Sequence, residues 1–165
     1  MGIAFNGQKL AGAAFNGAKV AGIAHNGQVI WTSSQAVAMG MDLATYQTPP
    51  SQSPPDWTTL TDWVASAGFP ETVITSGALM LPAGTYDLDL YLHLNNPVAS
   101  TYRVRLIDSD DNQLVYSESG SHISIITSGL VVPAGGIRFQ VSNSAGTTSR
   151  RGITTNTYCR LVPSS

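Results

Sequence analysis

Thr85-Tyr-Asp-Leu-Asp-Leu-Tyr-Leu-His-Leu94 decides the fold class. Tyr86, Leu88, Leu90, Leu92 and Leu94 alternate with Asp87, Asp89, Tyr91 and His93, the period-two pattern of a strand with one face in a core and the other against water or another subunit. Downstream, residues 101–107 place Tyr102, Val104 and Leu106 against Arg103 and Arg105, and residues 114–117, 123–127, 130–132, 137–142 and 158–162 read as further short strands. Seven or eight strands at this spacing argue for a β-sandwich.

Two segments echo each other: Ser76-Gly-Ala-Leu-Met-Leu-Pro-Ala-Gly84 and Ser128-Gly-Leu-Val-Val-Pro-Ala-Gly135. Each reads as a strand running into a Pro-Ala-Gly turn with a second strand following, the repeated hairpin unit of a jelly roll. From 71 to 163 the chain resembles the compact trimeric jelly rolls of complement-type and tumour-necrosis-type heads. That resemblance implies a homotrimer.

Upstream, Trp57, Leu60 and Val64 stand at helical spacing, with Asp56 placed to cap and Gly68 to stop, so a short helix or helical turn is expected over 56–67. Residues 44–56 carry two Pro-Pro pairs among small polar residues, which denies them helix and sheet interiors and makes them an extended linker. The expected division is a β-repeat docking and oligomerisation module at 1–43, a Pro-rich linker at 44–56 and a jelly-roll-like head at 57–165.

The first module repeats a ten-residue unit three times, beginning at Ile3, Ala13 and Ile23, each copy carrying Asn-Gly (Asn6-Gly7, Asn16-Gly17, Asn26-Gly27). Asn-Gly suits a type I′ turn, whose two central residues need positive φ. Closing each as a two-residue hairpin puts Phe5 opposite Gln8, Ala4 opposite Lys9, Ile3 opposite Leu10, Ala13 opposite Val20 and Ile23 opposite Ile30. Such small sheets, rich in Ala and Gly, bury too little apolar area to stand alone. Ile3, Phe5, Leu10, Phe15, Val20, Ile23, Ile30 and Trp31 are therefore the expected docking and oligomerisation residues, packed against other chains or against the sandwich. The short apolar strand, Asn-Gly turn and closing Val29-Ile30-Trp31 resemble the N-terminal segments of minor tail and other virion proteins of phages that infect actinobacteria. The resemblance implies a non-enzymatic virion protein, assembled in the host cytoplasm, with other virion proteins and a host surface glycan or protein as partners.

Composition excludes other classes. Charged residues are 11% of 165, the formal net charge is −2, and the eight Lys and Arg are scattered, which leaves no footprint for nucleic acid. No apolar run approaches the ~18 residues of a membrane helix. Lone Cys159 forms no intrachain disulfide and reads as a small buried hydrophobe. Asp108-Ser-Asp-Asp-Asn112 opens like a calcium loop, but Gln113 and Ser119 stand where its Gly and bidentate Glu belong, so a polar hairpin turn is expected. His25, His93 and His122 show no metal or triad spacing, and an interface or surface role is expected for each. No catalytic residue, cofactor or metal ligand is assigned. Trp57, Trp63, Tyr91 and Tyr116 are the stacking residues of a carbohydrate-binding alternative; a capsid decoration protein is another.

Overall fold

The computed structural model describes residues 36–49, 57–95, 102–119, 122–143 and 152–165, together with the backbone of 4–5, 8–9, 14–15, 18–19, 22–25 and 28–32. The chain forms two compact units, Met1–Gln35 and Ala36–Ser165.

Within the first unit are three two-stranded hairpins: β1 (Ala4–Phe5) with β2 (Gln8–Lys9), β3 (Ala14–Phe15) with β4 (Ala18–Lys19), and β5 (Gly22–His25) with β6 (Gln28–Thr32). Ala4 pairs with Lys9 and Phe5 with Gln8, the register that a two-residue connection dictates, and the second copy repeats it as Ala14 with Lys19 and Phe15 with Ala18. The third copy departs. A register shift after the Ala24–Val29 pair sets Ile23 opposite Trp31, not opposite the expected Ile30, because one extra residue of β6 is taken up as a bulge. Ile3, Leu10, Ala13 and Val20 lie outside the described residues, as do the side chains of Phe5, Phe15, Ile23, Ile30 and Trp31.

The second unit is a sandwich of β7 (Met39–Leu43), β8 (Thr58–Thr59), β9 (Trp63–Ala65), β10 (Val73–Thr75), β11 (Ala78–Leu81), β12 (Gly84–Leu92), β13 (Tyr102–Ile107), β14 (Gln113–Ser119), β15 (Ile123–Val132), β16 (Gly135–Asn143) and β17 (Tyr158–Pro163). One sheet runs β10-β11-β16-β13-β14, with β8 also on β16; the other runs β15-β12-β17-β7-β9. Tyr86, Leu88, Leu90 and Leu92 of β12 point inward as their alternation requires, and meet Leu79, Val104, Leu106, Phe139, Val141 and Leu161 in a single core. Each fully buried Leu contributes ~1.5–3 kcal/mol relative to exposure.

The echoing Pro-Ala-Gly segments are not hairpins. β11 and β12 lie in different sheets, as do β15 and β16, so each segment is a corner that carries the chain from one sheet to the other. The two corners are each other's partners: Leu81 pairs with Gly135 and, three residues along both strands, Gly84 pairs with Val132. A single antiparallel ribbon thus bends across both sheets. Proline suits the bend because it has no N–H to leave unpaired where the ladder breaks. The Tyr86 hydroxyl bonds back to the Pro82 carbonyl at 2.9 Å and locks one corner to the core.

Four further expectations are corrected. Strand β7, expected in the N-terminal module, belongs to the sandwich, pairing with β17 on one side and β9 on the other, so the unit boundary falls at Gln35, not at residue 43. The first part of the expected linker is strapped to the head, since Gln47 and Ile153 exchange both backbone hydrogen bonds at 3.0 and 2.7 Å; residues 50–56 lie outside the described residues. No helix forms over 57–67. β8 pairs with one sheet and β9 with the other, and the crossing between them, with Asp62 at φ +56°, drops both Leu60 and Trp63 into the core. The helical spacing of apolar residues came from a chain that changes sheets. Finally, residues 123–127 and 130–132 are one strand. Ser128 and Gly129 face the single Asp87, and Gly129, at φ +72°, forms a bulge where a turn was expected.

Candidate functional site

The outward face of the β15-β12-β17-β7-β9 sheet gathers the most chemically varied side chains of the head. The period of two that buries Leu88, Leu90 and Leu92 must present Asp87, Asp89 and Tyr91 on the opposite side, with His93 just beyond. The register then assembles cross-strand rows: Ile126, Asp89 and Arg160 in one, and Ser124, Tyr91, Tyr158 and Asp42 in the next.

Tyr91 is the hub of an aromatic group. Its ring centroid lies 5.8 Å from Tyr158, 5.9 Å from His93 and 6.0 Å from His122, while the two imidazoles stack at 4.2 Å with planes 17° apart. Burial, and after it the charge of His122, holds His93 below the ordinary imidazole range. The Tyr158 hydroxyl donates to Asp89 at 3.2 Å; burial first, then the Asp89 charge, pushes its phenol up. Arg160 lies over the Tyr158 ring at 4.1 Å and pairs with Asp42 at 3.8 Å. Its Nε is buried with no hydrogen-bond partner.

Beside this group a cleft of about 330 Å³ opens between Phe69, Asp87, Asp89, Ile126, Arg160 and Val162. Ile126 is 78% exposed and Val131 71%, the largest exposures among the big apolar side chains of the described residues of the head. One edge of the sheet is therefore oily and its middle polar and aromatic, a face suited to binding another protein surface. Gly40 on β7 is covered by Phe69, since a Cβ there would lie 2.9 Å from the ring.

The sequence-predicted stacking residues are dispersed. Trp57 and Tyr116 meet edge-to-face at 6.3 Å on the outer surface of the other sheet, where the Arg105 guanidinium lies 4.2 Å over the Trp57 ring. Tyr91 is on the opposite side of the sandwich. Trp63 is only 7% exposed, packs 5.3 Å from Phe139 and donates its indole N–H to the Leu60 carbonyl at 2.9 Å, so it is a core residue and stacks on no ligand. The pairing of His93 with His122 was not visible in the sequence, because the 28 positions that separate them carry no shared motif. The only available signal was that one ends a strong strand and the other stands just before a later one.

Asp108 shows why its segment is a turn. Its Oδ1 accepts the amides of Asp110 and Asn112, both at 2.9 Å, and its Oδ2 accepts the Asn112 side-chain amide at 3.0 Å. These bonds close the β13–β14 hairpin in the manner of an Asx turn. Cys159 is fully buried between β12 and β7, and burial pushes its thiol far up.

No family model matches the chain, and no curated protein matches it. Solved structures do. The Eiger TNF of S. frugiperda is similar with a TM-score of 0.53 and 16% identity, over 79% of this chain and 93% of that one. Murine APRIL is similar with a TM-score of 0.52 and 10% identity, over 78% and 99%, and a second APRIL structure, at pH 8.0, gives 0.53. At these identities the likeness is one of fold, a TNF-like jelly roll.

Proposed function

We propose that the chain is a non-enzymatic structural protein of a phage particle, docked through its N-terminal hairpins and displaying the jelly-roll head as a homotrimer, tail-associated and engaged in host attachment. The observation that carries this reading is the division of the chain into a hairpin unit, Met1–Gln35, and a separate compact head, Ala36–Ser165. Two-stranded hairpins are marginal alone, so the first unit gains stability from a neighbouring protein surface. The uncovered sheet face supports self-association. Its exposed Ile126 and Val131 are groups that a neighbouring head would cover. In this reading the protein is a virion component assembled in the host cytoplasm, with other virion proteins and a host surface glycan or protein as partners.

Gold labelling of the N-terminus in intact particles tests the assignment. Label at the tail supports it, label on the capsid shell alone replaces it with a decoration role of the same anatomy, and unlabelled particles end it. Sedimentation of the purified chain as a monomer at micromolar concentration would remove the trimer.

A carbohydrate-binding role is favoured by one observation, the meeting of Trp57, Tyr116 and Arg105 on a single outer surface. A glycan array with no binding that Trp57→Ala abolishes would retire it.

A further inference from the structure

We propose that the stacked His93–His122 pair is a proton-operated latch: neutral, it ties the end of β12 to the start of β15, and on protonation it lets that junction open. The inference concerns the head alone and stands whatever the head binds.

Three segments meet at this end of the sandwich. Leu94 and Ile153 form a β-bridge, the Asn95 amide donates to the Gly152 carbonyl at 2.9 Å, and the Thr154 amide donates to the His93 carbonyl at 2.9 Å. His93 is anchored twice more, its amide on the Thr157 hydroxyl at 3.0 Å and its Nδ1 on the Thr154 hydroxyl at 2.8 Å. The contact from β15 is made by His122, whose Nδ1 accepts the backbone N–H of Leu94 at 3.0 Å.

That bond fixes the chemistry. A ring nitrogen that accepts carries no proton, so His122 is held as the neutral tautomer with its hydrogen on Nε2. A proton on Nδ1 and the Leu94 bond exclude each other. Leu94 is buried, with 1% of its surface exposed, so its amide has no ready replacement acceptor in water. A second proton would add repulsion between two cationic rings stacked at 4.2 Å. Among the described residues, the other titratable and charged groups on this face are Tyr91, Asp89 and Asp87 of β12, Tyr158 and Arg160 of β17, and Asp42 of β7, with Asp87 engaged by the Gly129 amide and the Ser164 hydroxyl. Asp89 is engaged by the Tyr158 hydroxyl, and Arg160 by the Tyr158 ring and Asp42. β15 and residues 152–157 bring no titratable side chain.

The direction of the response follows from the Leu94 bond, which only an unprotonated Nδ1 of His122 can accept, and His93, which burial holds below its ordinary value, adds to it in the same sense. A group that binds its proton less readily folded than unfolded adds stability above its unfolded value, about 6.5, and that stability is lost as the pH falls through the folded value. Acid therefore opens the latch.

Imidazole ¹⁵N spectra and amide exchange on the full chain, read between pH 8 and pH 5, test it. At pH 8, His122 is expected as the Nε2–H tautomer with Leu94 protected. At pH 5, Leu94 should lose roughly tenfold protection relative to Leu90, the order expected when one buried hydrogen bond is given up. His122→Asn, whose side-chain oxygen can replace Nδ1 as acceptor, should keep Leu94 protected at both values. A protonated Nδ1 on His122 at pH 8, or unchanged Leu94 protection at pH 5, would overturn the proposal, and both are read on the unsubstituted protein even if the variant does not fold.

Discussion

The Gly129 amide donates to the Asp87 carboxylate at 3.1 Å, and the same Asp87 oxygen accepts the Ser164 hydroxyl at 2.6 Å. One carboxylate thus pins the β15 bulge and the end of the chain to β12. Nothing lies within 4 Å of a Cβ built on Gly129, so its φ of +72° is the sole obstacle to substitution. Gly129→Ala should cost about 1 kcal/mol in denaturant unfolding, and no more. A neutral result would mean that the bulge rearranges.

Asp87 should also give the head part of its resistance to acid. The Ser164 hydroxyl, and after it the Gly129 amide, holds its carboxyl below the usual range. Its contribution is present above the unfolded value of about 3.9 and is lost as the pH falls through the folded one. The stability gap between the parent and Asp87→Asn at neutral pH should close in acid. A gap independent of pH would show that the carboxylate charge is irrelevant there.

Removing residues 1–35 should leave a folded head with an unchanged thermal midpoint, whereas removing 1–43 should abolish cooperative unfolding. The second deletion strips β7 from between β17 and β9, taking the buried Met39, Met41 and Leu43 with it. Calorimetry of the two truncations checks this; cooperative melting of the shorter one would restore the boundary expected from the prolines.

Trp63→Ala should cost ~3–5 kcal/mol, the range for emptying a core aromatic site. Trp57→Ala loses chiefly its contacts with Arg105 and Tyr116 and should cost about 1 kcal/mol. Equal costs in urea titrations would contradict the placement of Trp57 on the surface.

Cys159 should react with an aromatic disulfide reagent only on unfolding, because burial disfavours its thiolate. Stopped-flow labelling that outpaces unfolding would exclude the buried position.

Where a strand has one wet face, the sequence displayed it. Residues 86–94 and 102–107 announced their faces by alternation alone, and the all-β sandwich follows from them. What stayed hidden depended on contacts made elsewhere. Leu60 and Trp63 look helical because the chain between β8 and β9 changes sheets, and the Pro-Ala-Gly echoes look like hairpins because their partner is the other echo, more than fifty positions away. Met39, Met41 and Leu43 do alternate, but the nearby repeats and prolines drew them into the wrong unit. The imidazole stack needed the third dimension altogether.

β17 fills the slot between β12 and β7, with Cys159 opposite both Leu90 and Met41. During synthesis the ribosome therefore releases this segment last of the sheet, and until then two strands stand with a vacant lane between them. The head cannot close gradually as it emerges. It must wait, exposed to chaperones and to its own siblings, for the six residues of β17, so a stop codon placed just before Tyr158 would yield an aggregating chain rather than a slightly weaker one.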